Sequence, residues 1–120
     1  LASLKLCQNP TLGDSAAEAF AKALAGKDCS VSQLDVSFCS LRAGCSQLLR
    51  SCTSLRQLRL FGNAAGPEVT EALGFAMEHG AIEDLDLSRC RLGASAGPGL
   101  ADALRRGAAA ETSLQELHLD

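Results

Sequence analysis

The chain has no tryptophan and no tyrosine, and its four phenylalanines bring aromatic content to only 3% of 120 residues. That is poor material for stacking nucleobases or for caging an aromatic ligand. It has no cationic excess either: 11 Lys and Arg face 14 Asp and Glu, for a net charge of −3. A nucleic acid or an anionic membrane is therefore disfavoured as the main partner. No apolar run approaches the ~18–20 residues of a membrane span, and no signal-peptide pattern opens the chain. There is no Walker-type glycine loop, no H-E-x-x-H and no nucleophile elbow. No C-x-x-C occurs, and His79 and His118 complete no ligand set at metal-site spacing. These absences lead to the expectation of a protein that is not an enzyme and takes no metal, cofactor or small molecule. What the chain does have is 47% hydrophobic residues, enough to bury the core of one domain.

Those hydrophobic residues are not scattered. The segments "LASLKLCQN", "VSQLDVSFC", "LRQLRLFGN" and "IEDLDLSRC" begin at residues 1, 31, 55 and 82, and a shortened "LQELHLD" begins at 114. Each has an aliphatic residue in its first, fourth and sixth places, as in Leu55, Leu58 and Leu60. Alternation of this kind is what a half-buried strand requires. The recurrence, every 24 to 32 residues, is that of a leucine-rich repeat solenoid. The ninth place reads Asn9, Cys39, Asn63 and Cys90. There the chain must turn sharply and leave backbone groups without sheet partners. An asparagine carries both donor and acceptor and can satisfy them, and a thiol can take the same place with weaker bonding. These four residues are assigned a structural ladder.

Helical patterns follow the strands. Ser15 with Glu18 reads as a capping box, Phe20 and Leu24 as the inward face, and Gly26 as the stop. Leu48 and Leu49 face inward in a short second helix. Pro67 suits the first helical position of the third, where Val69, Leu73 and Ala76 or Met77 keep helical spacing up to Gly80. Pro98 opens a fourth with Leu100 and Leu104 inward. The expected fold class is α/β: a horseshoe segment whose parallel strands line a concave face and whose helices cover the convex side. Residues 1–120 then form a single leucine-rich repeat domain of about four and a half repeats. Neither end shows the cap that a stacked core needs, so the expectation is a piece of a longer solenoid.

Six cysteines do not form a disulfide framework in this arrangement. Cys39 and Cys90 occupy the same place two repeats apart, about 10 Å at ~4.8 Å per strand, beyond disulfide reach. Cys7 faces out of a strand, Cys45 and Cys52 fall in a helical segment, and Cys29 falls in a loop. Reduced thiols, with no N-x-S/T sequon, point to a cytoplasmic setting.

The stretches "NPTLGDSAAEAFAKAL" (9–24) and "CRLGASAGPGLADAL" (90–104), with Asn and Cys sharing the ninth place and a full helix per repeat, resemble the ribonuclease-inhibitor class of leucine-rich repeats. That class is also found in NOD-like receptors and in the GTPase-activating protein of Ran. The resemblance implies a fold, and a partner protein of unspecified identity; it specifies function weakly, because the fold hosts many partners.

The concave face is where a partner would be read. Its fifth places hold Lys5, Asp35, Arg59, Asp86 and His118, with alternating signs that also relieve like-charge repulsion across strands. Phe61, in a seventh place, suits an interface anchor, whereas Phe38, in an eighth, reads as the more buried ring. Acidic residues gather towards the C-terminal end: Glu83, Asp84, Asp86, Glu116 and Asp120. They suit a basic partner surface, with Arg56, Arg59, Arg89 and Arg91 as partial offsets. The partner-binding candidates are Asp35, Arg59, Phe61, Asp84, Asp86, Arg89, Glu116 and His118. Glu71, Glu78, Asp102, Arg105 and Arg106 read as a solvated outer surface. The function expected is a non-catalytic protein–protein interaction module, a scaffold surface. The alternatives are an architectural spacer in a large assembly and a regulator of a small GTPase, for which Arg89 would be the residue to test.

Overall fold

A computed structural model describes residues 3–26, 30–51 and 54–120; Cys29 and Cys52 lie outside the described residues. Strands and helices alternate: β1 (Ser3–Lys5), α1 (Gly13–Leu24), β2 (Gln33–Asp35), α2 (Ala43–Ser51), β3 (Gln57–Arg59), α3 (Val69–His79), β4 (Asp84–Asp86), α4 (Gly97–Ala109) and β5 (Glu116–His118). A short 3-10 turn, Ala94–Ala96, leads into α4. The five strands form one open parallel sheet in sequence order. Each crossover from strand to next strand carries a helix, as parallel neighbours require.

The register is set by the repeated leucine. Leu4, Leu34, Leu58, Leu85 and Leu117 are successive cross-strand partners. The middle three are buried, and the two on the end strands are partly so. A strand turns alternate residues to opposite faces. The leucine row therefore packs towards the helices, and the residues on either side of it turn to the other, open face. The regular strands are only three residues long, but backbone bonding runs on past them. Val36 N–H donates to Arg59 C=O at 3.0 Å, and Phe38 N–H to Phe61 C=O at 2.9 Å. The first- and sixth-place residues Leu55, Leu60, Ile82 and Leu87 join Leu48, Leu49, Val69 and Leu73 in a single core between sheet and helices.

The ninth-place side chains serve the turns. Asn63, 2% exposed, accepts from the N–H groups of Cys39 (3.1 Å) and Leu41 (3.0 Å) through Oδ1. It donates through Nδ2 to the carbonyls of Val36 (3.0 Å) and Leu60 (2.9 Å). The Cys39 and Cys90 thiols donate to Leu6 C=O and Leu60 C=O, each at 3.0 Å. Asn9, on the first unit, is exposed and bonds to Leu6 C=O at 2.7 Å.

Several helix details differ from the sequence reading. Ser15 does not cap α1. The helix starts two residues earlier, and no side chain caps its first turn. The acidic residue in that turn looks across to the next unit instead: Asp14 Oδ1 accepts from the N–H groups of Arg42 (2.7 Å) and Gly44 (3.0 Å), at the start of α2. Pro67 precedes α3 by two residues and sits in a tight turn whose carbonyl accepts from Thr70 N–H. Leu104 is 54% exposed; the buried face of α4 is made by Ala103 and Gly107, because α3 approaches closely there and its Met77 lies where a larger residue at 107 would sit.

Candidate functional site

Two rows of side chains run across the open face. One holds Ser3, Gln33, Gln57, Asp84 and Glu116; the other holds Lys5, Asp35, Arg59, Asp86 and His118. Neighbours within a row are about 4.8 Å apart along the sheet. Arg59 lies between its cross-strand partners Asp35 and Asp86. Both aspartates also turn back on their own chain: Asp35 Oδ1 accepts from Ser37 N–H (3.0 Å) and Asp86 Oδ1 from Ser88 N–H (2.9 Å). This Asx-type bonding draws the seventh-place serines inward, to 8% and 3% exposure. Cys7, in the same place on the first unit, stays exposed.

The eighth place has its own rule. Gln8, Phe38, Gly62 and Arg89 all have φ between 53° and 74°. Only Gly62 takes that left-handed backbone without a steric cost, so three of the four bear strain to make the same turn. The turn throws Phe38 outward. The residue is 44% exposed, which reverses the expected order of the two phenylalanines, since Phe61 is half-buried beneath it. The two rings meet edge to face with centroids 5.1 Å apart, a favoured aromatic geometry. A Cβ on residue 62 would run into the Phe38 ring, so a side chain there would add displacement of that ring to the cost of the turn. The Arg89 guanidinium stands 5.7 Å from the Phe61 centroid, within cation–π range. Beside this stack is a cleft of about 330 Å³ bordered by Pro10, Phe38, Ser40, Arg42, Gly62 and Arg91.

The acidic end is less uniform than its sequence suggests. Asp84 and Glu116 are cross-strand partners. His118 Nε2 lies 3.6 Å from Asp84 Oδ1 and 3.4 Å from Glu116 Oε2. Gln57 Nε2 donates to the other Asp84 oxygen at 3.0 Å. Glu83 makes no contact with His118; it borders a cleft with Arg56 and Ser32 that Gln57 and Asp84 also line. Linear spacing concealed the association of His118 with the two carboxylates, because it spans two strands 32 residues apart in repeat start. The signal that exposes it is the repeat frame: Asp84 and Glu116 share the third place, and His118 is two residues on, on the same face.

The helical side carries a further tie. Arg106 joins α4 to α3 by donating through Nε to Glu78 Oε1 and through a terminal nitrogen to Glu71 Oε1 at 3.4 Å. Its side chain, 25% exposed, covers Gly74. It is therefore a packing residue as well as a solvated charge. The buried cysteines offer no ready nucleophile. Burial pushes the thiols of Cys39 and Cys90 up from their ordinary value, and that of Cys45 up to about 12, so they stay protonated near neutrality. No described helix is long and apolar enough to cross a membrane.

The comparisons with known proteins bear on the fold. No family model matches the chain, and no curated protein matches it. Among solved structures, the C-terminal domain of tropomodulin from Caenorhabditis elegans superposes with a TM-score of 0.79, over 100% of this chain and 74% of that one. Identity is 14%, so the likeness is one of fold. The fold is of the leucine-rich repeat type, with five parallel strands in one open sheet and helices packed on one face.

Proposed function

We propose that this chain is a non-catalytic protein-binding module of the ribonuclease-inhibitor-like kind, a segment of a solenoid that receives a partner protein on its open strand face. The observation that carries the reading is the Phe38–Phe61–Arg89 stack beside the in-register row of Lys5, Asp35, Arg59, Asp86 and His118. The core is completed without any of these residues. A half-exposed aromatic pair flanked by charges of both signs has the composition of an interface centre with a polar rim. The helical face has less to offer, since its charges are largely matched among themselves: Glu18 with Lys22, Asp102 with Arg105, and Glu71 and Glu78 with Arg106.

The reading is tested by capture of partner proteins on wild type and on a triple variant, Arg59→Ala/Phe61→Ala/Asp86→Ala, after circular dichroism has established that both fold. Loss of a captured protein in the variant supports the open face as the site. Identical capture by both places binding elsewhere and removes the proposal.

A further inference from the structure

We infer that Asp84, Glu116 and His118 form a binding site for a divalent transition-metal ion, zinc in the first instance, on the open face of β4 and β5. One donor atom from each residue lies within 4.8 Å of the other two. The His118 nitrogen is 3.4 Å from the Glu116 oxygen and 3.6 Å from the Asp84 oxygen. With zinc bonds of about 2.0–2.2 Å to imidazole nitrogen and carboxylate oxygen, the edge of a tetrahedral ligand set is about 3.3–3.6 Å. Two of the three edges are thus already in place. The third lies within 4.8 Å, and Glu116, 65% exposed, is not held by packing.

The surroundings favour a cation. Asp84 and Glu116 stand directly opposite one another on neighbouring strands, an arrangement that costs energy for like charges. Among the described residues no lysine or arginine pairs with either carboxylate; the ion-pair contact of both is His118. A divalent ion at the centre of the three donors removes the repulsion. Gln57 holds the far oxygen of Asp84 at 3.0 Å and leaves Oδ1 turned to the other ligands, which is the part an outer-shell hydrogen bond plays around a metal. The donor set also narrows the ion. One imidazole with two carboxylates suits zinc, copper or nickel, whereas calcium and magnesium call for six or more oxygens. Three protein donors leave a fourth position for water or for a donor from another molecule. The inference stands apart from the partner-binding reading: an ion here is held by this chain's own residues whether or not a protein docks.

The test is calorimetric titration of the reduced, chelator-stripped chain with zinc chloride. The expected result is one ion per chain. Binding is expected to weaken by at least about tenfold in each of His118→Ala and Glu116→Gln. It should be unchanged in His79→Ala and Cys7→Ser, which remove the other exposed imidazole and an exposed thiol. Cobalt should give visible d–d bands without sulfur-to-metal charge transfer, and zinc should shift the His118 ring signals in NMR spectra. The site is overturned if no heat is seen up to millimolar zinc. It is equally overturned if binding survives His118→Ala, or if binding disappears with Cys7→Ser.

Discussion

Asp14 in the first helix caps the second: its Oδ1 accepts the N–H of Gly44 at 3.0 Å, 30 residues further along the chain. The same oxygen takes the N–H of Arg42 at 2.7 Å. Two otherwise unpaired amides at the start of α2 are thereby satisfied by a carboxylate from the neighbouring unit, and its charge lies at the favourable end of the helix dipole. Asp14→Ala should lower the unfolding free energy by about 1–2 kcal/mol, the usual cost of a lost N-cap. Asp14→Asn, which keeps the acceptor, should recover most of it. Urea denaturation of the three proteins decides the matter.

Gly44 makes that approach possible. A Cβ there would meet Ala17 Cβ at 2.6 Å and Asp14 Oδ1 at 2.8 Å. In an exposed helix Gly→Ala is stabilising by about 1 kcal/mol. Here the sign should reverse, with Gly44→Ala costing about 1–3 kcal/mol through overpacking and a displaced cap. A rise in melting temperature would mean that α1 and α2 separate easily.

These contacts mark the limit of what the sequence made legible. The row Leu4, Leu34, Leu58, Leu85 and Leu117 could be read directly, because a frame with aliphatic residues in its first, fourth and sixth places, repeated five times, leaves strand face and register little freedom. The helices could be read from Leu48 and Leu49 or Val69 and Leu73 for the same reason. Asp14 could not: its partners depend on how closely two helices stack, and local spacing instead favoured Ser15 with Glu18. Phe38 is exposed against the sequence expectation because the left-handed turn in the eighth place is signalled by glycine only at Gly62, while Gln8, Phe38 and Arg89 adopt it under tertiary constraint. Arg106 reads as a surface charge until Gly74 and Glu78 are seen beneath it. His118 joins Asp84 only when the strand register is carried through to side chains.

Asn63 should be the most sensitive polar residue of the core. Its side chain makes four hydrogen bonds to backbone groups of two units, and it is buried. Asn63→Ala leaves two N–H groups without their acceptor, each costing about 1–3 kcal/mol, so a loss on the order of 3 kcal/mol is expected. Asn63→Cys imports the residue that serves at 39 and 90. It should fall between wild type and alanine, because a thiol can donate to Val36 C=O, as Cys39 and Cys90 donate to the matching carbonyl of the unit before them, but accepts poorly from Cys39 and Leu41. Equal stability of the alanine and cysteine variants would show that the acceptor function alone matters.

The four cysteines among the described residues should divide sharply under alkylation. Cys7 is exposed, whereas Cys39, Cys45 and Cys90 are buried. Burial pushes the Cys45 thiol up to about 12 against an ordinary 9.0, which leaves roughly a thousandfold less thiolate near pH 8. Iodoacetamide on the native protein should label Cys7 within minutes and leave the three buried thiols unmodified until denaturant is added. Peptide mass spectrometry reads the order. Early labelling of Cys45 would reveal opening of α2 away from the sheet.

The tie between α3 and α4 should give stability an acid-sensitive component with a definite sign. The Arg106 guanidinium, hydrogen-bonded to Glu78, holds that carboxyl below its ordinary 4.5, against the opposing effect of partial burial. The same bond raises Arg106 above its ordinary value. His79 Nε2 lies 3.5 Å from the other Glu78 oxygen and acts in the same direction as the arginine. Because the folded value is depressed, the unfolded chain takes up the proton first as pH falls. The contribution is therefore fully present above the unfolded value and is lost as pH drops through the folded one. Glu78→Gln should melt below wild type near neutral pH, and the gap should close as the pH is lowered towards about 2. Glu71→Gln, whose partner is 3.4 Å away and which is 67% exposed, should show little of either effect. Thermal melts of the three proteins across this range decide it: a gap independent of pH would mean that Glu78 acts through packing, and that charge does not hold the two helices together.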